Sequence, residues 1–98
     1  MTINKTLNDT ALTLAVEGRL DTTTAPQLEA EVKDSLEGVT SLTLDFEKLE
    51  YVSSAGLRVL LAAQKKMNAQ GTMVIKNVCD DIKEVFDITG FSDILTVE

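Results

Sequence analysis

Apolar positions recur along this chain at two spacings, and the switches between them divide it into strands and helices. Leu12, Leu14 and Val16 alternate with Thr13 and Ala15, the two-residue period of a half-buried strand. Thr2 to Leu7 and Ala11 to Val16 therefore read as a pair of strands joined at the turn-favouring Asn8-Asp9. The period then lengthens. Ala25, Leu28, Val32 and Leu36 mark one face of a helix from Ala25 to about Glu37. Thr24 and Gln27 have the spacing of a capping box, Pro26 falls in the first turn, and Gly38 follows as the expected C-cap. Ser41 to Phe46 returns to strand, with Leu42, Leu44 and Phe46 on one side.

The longest helical pattern starts after this buried strand. Gly56, Val59, Leu60, Ala63 and Met67 stand at the i, i+3, i+4, i+7, i+11 positions of one face, which predicts a helix from about Ser54 to Ala69, stopped at Gly71. Leu57 is expected to pack with the core and Arg58 to face solvent, while the Lys65-Lys66 pair, next to polar Gln64 and Asn68, reads as a solvated face. Thr72 to Asn77 predicts a strand. A short helix capped by Asp80 or Asp81 then turns Ile82, Val85 and Phe86 inward and ends at Gly90, and Ile94 to Val97 closes the chain as a short strand. Strands alternating with helices specify an α/β architecture with a largely parallel sheet. The opening hairpin makes that sheet mixed, with four to five strands and helices packed on it, and no linker or repeat divides residues 1–98.

Composition narrows what such a domain can do. With 98 residues and 44% hydrophobic positions, the chain can bury roughly 60–65% of its unfolded surface, enough for one small core. The lone Cys79 permits neither an internal disulfide nor a cysteine-based zinc cage, and its place beside Val78 reads as a small core or boundary position. The net charge of −7 argues against a nucleic-acid partner, which would need a basic stripe. No apolar run approaches the ~18 residues of a membrane span, and no leader pattern opens the sequence, so it reads as a cytoplasmic protein without direct membrane insertion. The absence of histidine excludes a Ser-His-Asp triad and histidine metal ligands. Neither common glycine-rich nucleotide loop is present, and no cofactor is implied. Asp21, Asp45 and Glu47 are read as solvated carboxylates rather than an acid–base cluster. The acidic pair and downstream lysine of a phosphate-receiver domain are not visible either, and the chain reads as a non-enzyme.

What remains is the hydroxyl pair at the start of the long helix. Ser53 and Ser54 stand where side-chain oxygens meet unpaired backbone N–H groups and a partial positive charge. A phosphate on a serine there is tolerated electrostatically, although serine at such a position also serves simply as a cap. The surrounding segment, Glu47-Lys48-Leu49-Glu50-Tyr51-Val52-Ser53-Ser54-Ala55-Gly56-Leu57, resembles the signature of STAS domains of the anti-sigma-factor-antagonist type. Gly18-Arg19-Leu20-Asp21-Thr22-Thr23-Thr24-Ala25 resembles the segment before that family's first helix, and Asp87 to Leu95 is similar to its last helix and strand.

The resemblance runs through the whole chain and implies a single STAS domain acting by partner switching. Unphosphorylated, such a domain binds an anti-sigma factor that is also a serine kinase, and a metal-dependent serine phosphatase resets it. Matching on Gly56-Leu57 places the phospho-acceptor at Ser54 and the partner-facing loop aspartate at Asp21. With them, Thr22, Ser53 and Arg58 complete the implied docking face. The chain departs from the family pattern in carrying Ser53 where the family has aspartate and Ala55 where it has a hydroxyl. Ser53 is thus an alternative acceptor. The resemblance also extends to a second class, STAS subunits of lipid-transport ABC complexes that dock on an ATPase without a phosphoserine cycle.

Overall fold

Strand β2 (Ala11–Leu20) organises the sheet because its ten residues serve several partners. Along one stretch it pairs antiparallel with β1 (Thr2–Asn8), from Thr2 opposite Glu17 to Asn8 opposite Ala11. Its first half also pairs in parallel with β3 (Ser41–Asp45), and its last residues pair in parallel with β4 (Leu49–Val52). The hand-over between β3 and β4 falls at Gly18, whose φ of +100° accommodates a register shift between Gly18 and Arg19. β5 (Thr72–Lys76) continues the sheet beyond β3, giving the order β1-β2-β3-β5 with β4 attached to β2. This computed structural model describes residues 1–98.

Three helices complete the fold: α1 (Ala25–Ser35), α2 (Ser54–Asn68) and α3 (Asp80–Thr89). Leu12, Leu14 and Val16 of β2, Leu42 and Leu44 of β3, and Met73 and Ile75 of β5 share one face of the sheet, and all are buried. They join Leu28 and Val32 of α1, Leu57, Val59, Leu60 and Met67 of α2, and Ile82 and Phe86 of α3 in one core. The intervening positions Thr13, Ala15, Thr43 and Val74 are half-buried on the opposite face. The alternation thus dictates a mixed five-stranded sheet with helices on its apolar side.

Several local expectations are corrected. β2 runs to Leu20 rather than Val16, and β4 is an additional strand between Phe46 and the long helix. α1 ends at Ser35, and Gly38 lies in the turn beyond rather than at its cap. Thr24 makes no side-chain cap to α1, and Gln27 donates instead to the Met1 carbonyl at 3.3 Å. Cys79, not Asp80 or Asp81, is the N-cap residue of α3, and its side chain is exposed rather than packed. Gly90 does end α3, in the left-handed conformation (φ +81°) that favours glycine. The chain then makes a short 3-10 turn over Phe91–Asp93, and the expected last strand contracts to one bridge between Val97 and Ile75. Lys65 and Lys66 are exposed as expected, whereas their polar neighbour Gln64 is only 6% exposed.

Candidate functional site

The site is built by two parallel strands ending side by side. Leu20 and Val52 are register partners at the ends of β2 and β4, and the Ser53 N–H donates to the Leu20 carbonyl at 2.8 Å, extending that pairing by one residue. Asp21 leaves from one strand end and Ser53-Ser54 from the other. Gly56 holds the start of α2 against this junction. A β-carbon at residue 56 would lie 2.7 Å from Leu20 Cγ and 3.0 Å from the Leu20 carbonyl oxygen, so only glycine fits without displacement.

The two serines have different tasks. Ser53 adopts the extended backbone of an N-cap, and its Oγ accepts the Gly56 N–H at 3.3 Å. It is half-buried. Ser54 is the first residue of α2 and is exposed, with its hydroxyl engaged by no protein group. The first turn of a fifteen-residue helix presents unpaired N–H groups and positive dipole charge beside that hydroxyl. Arg58 is exposed one turn along the helix from Ser54, at the spacing that brings side chains together on a helix surface. Leu57 and Val59 face inward, 6% and 5% exposed.

Asp21 is fixed by a reciprocal pair of hydrogen bonds. Its Oδ1 accepts the N–H groups of Thr23 at 3.0 Å and Thr24 at 3.1 Å, while its own N–H donates to Thr24 Oγ1 at 2.9 Å. Thr24 Oγ1 also donates to the Arg19 carbonyl at 2.7 Å. This is a capping box set three residues earlier than the sequence spacing suggested. The Thr24 N–H bond, assisted by Thr23, the Thr24 hydroxyl and Arg19, holds the Asp21 carboxyl below the ordinary carboxylate range. Asp21 is therefore anionic at neutral pH and held in place rather than mobile.

Thr22 and Arg58 line a groove of about 230 Å³ between the starts of α1 and α2, with Pro26, Ala55 and Val59 among its walls. The expected site residues thus gather at one end of the molecule: Asp21 and Ser53 at adjoining strand ends, Thr22 and Arg58 across one groove, and Ser54 between them in the chain. Two residues join them that the sequence did not single out. Arg19 lies 4.3 Å over the Tyr51 ring and 3.8 Å from Asp21 Oδ2. Tyr51 is 41% exposed, so this cation–π contact lies at the surface. Their parallel-strand pairing was not legible because β4 itself was not. Asp45 belongs elsewhere, its Oδ1 bonded to the Asn77 side chain and the Glu47 N–H, and no set of carboxylate or cysteine side chains is arranged to hold a metal ion.

This geometry has counterparts among known proteins. The sequence profile of the STAS domain matches residues 2–98. The chain belongs to the STAS domain family. BtrV of Bordetella bronchiseptica, named as a candidate anti-sigma factor antagonist, is 37% identical over 91 residues, covering 91% of this STAS domain and 78% of BtrV. The anti-sigma-B factor antagonist of Listeria monocytogenes is 34% identical over 86 residues, covering 85% and 75% of the two chains. The Bacillus protein SpoIIAA, an anti-sigma factor antagonist, has been solved in unphosphorylated and phosphorylated forms. The STAS domain superposes on them with TM-scores of 0.78 and 0.77 at 19% identity, covering 99% of its own length and 87% and 91% of theirs. At that identity the likeness establishes the shared fold.

Proposed function

We propose that this STAS domain is an anti-sigma factor antagonist that works by partner switching, with Ser54 as its phosphorylated residue. The observation that carries the reading is the division of labour between adjacent serines. Ser53 is committed to the helix cap, whereas Ser54 offers an exposed hydroxyl with no intramolecular partner. Its neighbours by sequence similarity support the same class, since the Listeria relative is named an anti-sigma-B factor antagonist.

In this proposal the unphosphorylated face, formed by Asp21, Thr22, Ser53, Ser54 and Arg58, docks on an anti-sigma factor that is itself a serine kinase and so frees the sigma factor. The kinase transfers the γ-phosphoryl group of ATP to Ser54 Oγ; the hydroxyl proton passes to a base and ADP leaves. The new group carries about −1.5 to −2 charge at pH 7. The free N–H groups of the first turn stabilise it in the isolated domain, and Arg58 is within one turn. Docking would bury that charge next to anionic Asp21. A loss of about 2 kcal/mol weakens binding roughly thirtyfold, enough to release the partner. A metal-dependent serine phosphatase restores the hydroxyl by hydrolysis. The domain contributes a surface and a substrate hydroxyl, and no catalytic group of its own.

The test is retention of partners from native-cell lysate on three baits: wild type, Ser54→Ala and Ser54→Asp, with mass spectrometry of both bait and prey. A serine kinase of the anti-sigma class held by wild type and Ser54→Ala, lost with Ser54→Asp, and phosphate mapped to Ser54 is the expected result. Transport ATPase subunits retained equally by all three, without phosphate on Ser54, would overturn it.

A further inference from the structure

We propose that the groove between α1 and α2 is a docking channel for an acidic amphipathic helix of a partner protein. Two hollows, of about 230 and 300 Å³, share Glu29 and Val59 and so form one channel along the helix pair. It starts at Thr22 and Ala55, next to Ser54 in the chain, and ends at Lys33 and Lys66. Its floor is apolar, built on the buried Val59 and Val32 with Ala62 exposed beside them. Ser54, Arg58, Ala62 and Lys66 follow one another at four-residue intervals on α2, so they form one ridge of that helix surface.

The charge of α2 selects the occupant. The chain has 16 acidic and 9 basic residues, yet α2 carries Arg58, Lys65 and Lys66 and no carboxylate in its 15 residues. All three cations are exposed, and none joins the ion pairs Lys5–Glu31, Arg19–Asp21, Lys33–Glu29 and Lys76–Glu98. Glu29 is the only carboxylate that lines the channel, and Lys33 holds it at 3.5 Å. The result is a positive strip over an apolar floor, on a molecule whose net charge is −7. Solubility does not call for such a strip, because the acids elsewhere provide it. A ligand that matches both features presents an apolar stripe flanked by Glu or Asp. A helix fits best because both banks are helices and offer no backbone edge. An extended occupant would turn N–H and C=O groups inward without partners, whereas a helix pairs its own. From Ser54 to Lys66 the bank rises about 18 Å, the length of a helix of a little over three turns.

A second copy of this chain does not supply that helix. Its own acidic helix is α3, but there Ile82 and Phe86 are buried and Ile88 alone of the apolar residues is exposed. A nucleic acid or an anionic bilayer would meet the surrounding carboxylates along with the three cations. The channel extends the face around Ser54 down the molecule, and its occupancy does not require Ser54 to be phosphorylated.

The probe is an acetylated, amidated peptide of about fourteen residues, long enough for the channel, with leucines on one helical face and glutamates beside them. Fluorescence anisotropy of the labelled peptide should show saturable binding to the unphosphorylated domain. Lys66→Glu should weaken it at least about fivefold. Lys83→Glu makes the same change of net charge on the exposed surface of α3 and should leave affinity within about twofold. A peptide with lysines in place of the glutamates should bind wild type poorly and the Arg58→Glu/Lys66→Glu variant better. Amide shifts on binding should fall on Ala25, Val32, Val59 and Ala62, with far-UV circular dichroism confirming the fold of each variant. Absence of binding at millimolar peptide overturns the proposal. So do equal losses for Lys66→Glu and Lys83→Glu, or amide shifts confined to other faces. Retention on phosphatidylglycerol vesicles that Lys66→Glu abolishes would assign the strip to a membrane and overturn it as well. No readout involves phosphate or an anti-sigma factor, so failure here leaves the Ser54 reading standing.

Discussion

Ser53 and Ser54 carry the same side chain one position apart, and the helix start makes them unequal. The Ser53 hydroxyl satisfies the Gly56 N–H, a donor that the helix cannot pair internally. Removing it with Ser53→Ala should cost about 0.5–2 kcal/mol, read as a lower denaturant midpoint with unchanged slope. Ser54→Ala removes no hydrogen bond and should leave the midpoint within about 0.5 kcal/mol of wild type. Equal losses for both variants would show that Ser54 shares the cap, and the case for its availability to a kinase would weaken. The helix-start position of both serines was legible from the apolar spacing that begins at Gly56. Which of the two caps was not, because one residue's shift along a helix start leaves the periodicity unchanged. Asp21 illustrates the same limit. Thr24 and Gln27 have capping-box spacing, yet Asp21 and Thr24 make the box, because β2 ends at Leu20 and the turn begins directly after it.

Elements were legible where one period persisted, and obscure where two strands share a partner. Every helix was visible because each repeats its apolar positions over several turns. β4 was not, since Leu49 and Val52 are buried while Glu50 and Tyr51 are exposed, a spacing that lacks the two-residue alternation of a strand. Its existence depends on the far half of β2, which sequence spacing does not announce. Gln64 is a second case. Its place on α2 is inward, and its Oε1 is buried without a partner while its amide donates to Asn68. The coupling of β4 to α2 rests on Gly56. In an open helix, Gly→Ala gains about 1 kcal/mol of propensity. Here the added methyl meets the buried Leu20 side chain and the carbonyl that accepts the Ser53 N–H. Overpacking costs of about 1–3 kcal/mol should dominate, so Gly56→Ala should be destabilising in urea unfolding. A raised midpoint would mean that α2 can slide off the strand ends, leaving the geometry of the site unfixed.

At the scale of the molecule, the candidate site and the core are one structure. The buried cluster runs from Leu12 and Leu14 through Leu20 and Val52 to Leu57 and Phe86, with no gap between the site's supports and the interior. Leu20 is the connecting residue: fully buried, it carries Asp21 on its C-terminal side, bonds Ser53 through its carbonyl, and packs beneath Gly56. Such a site is positioned by the same contacts that stabilise the fold. The chain has no tryptophan and a single tyrosine, so the intrinsic fluorescence of Tyr51, stacked under Arg19, reports the site end alone, while far-UV circular dichroism reports the whole. Leu20→Ala should cost about 2–5 kcal/mol, a large share of a small domain's stability. If site and core are one cooperative unit, both probes should give the same lowered midpoint in wild type and variant alike. A tyrosine transition that precedes the circular-dichroism transition would instead make the site end a separately melting segment, independent of the core.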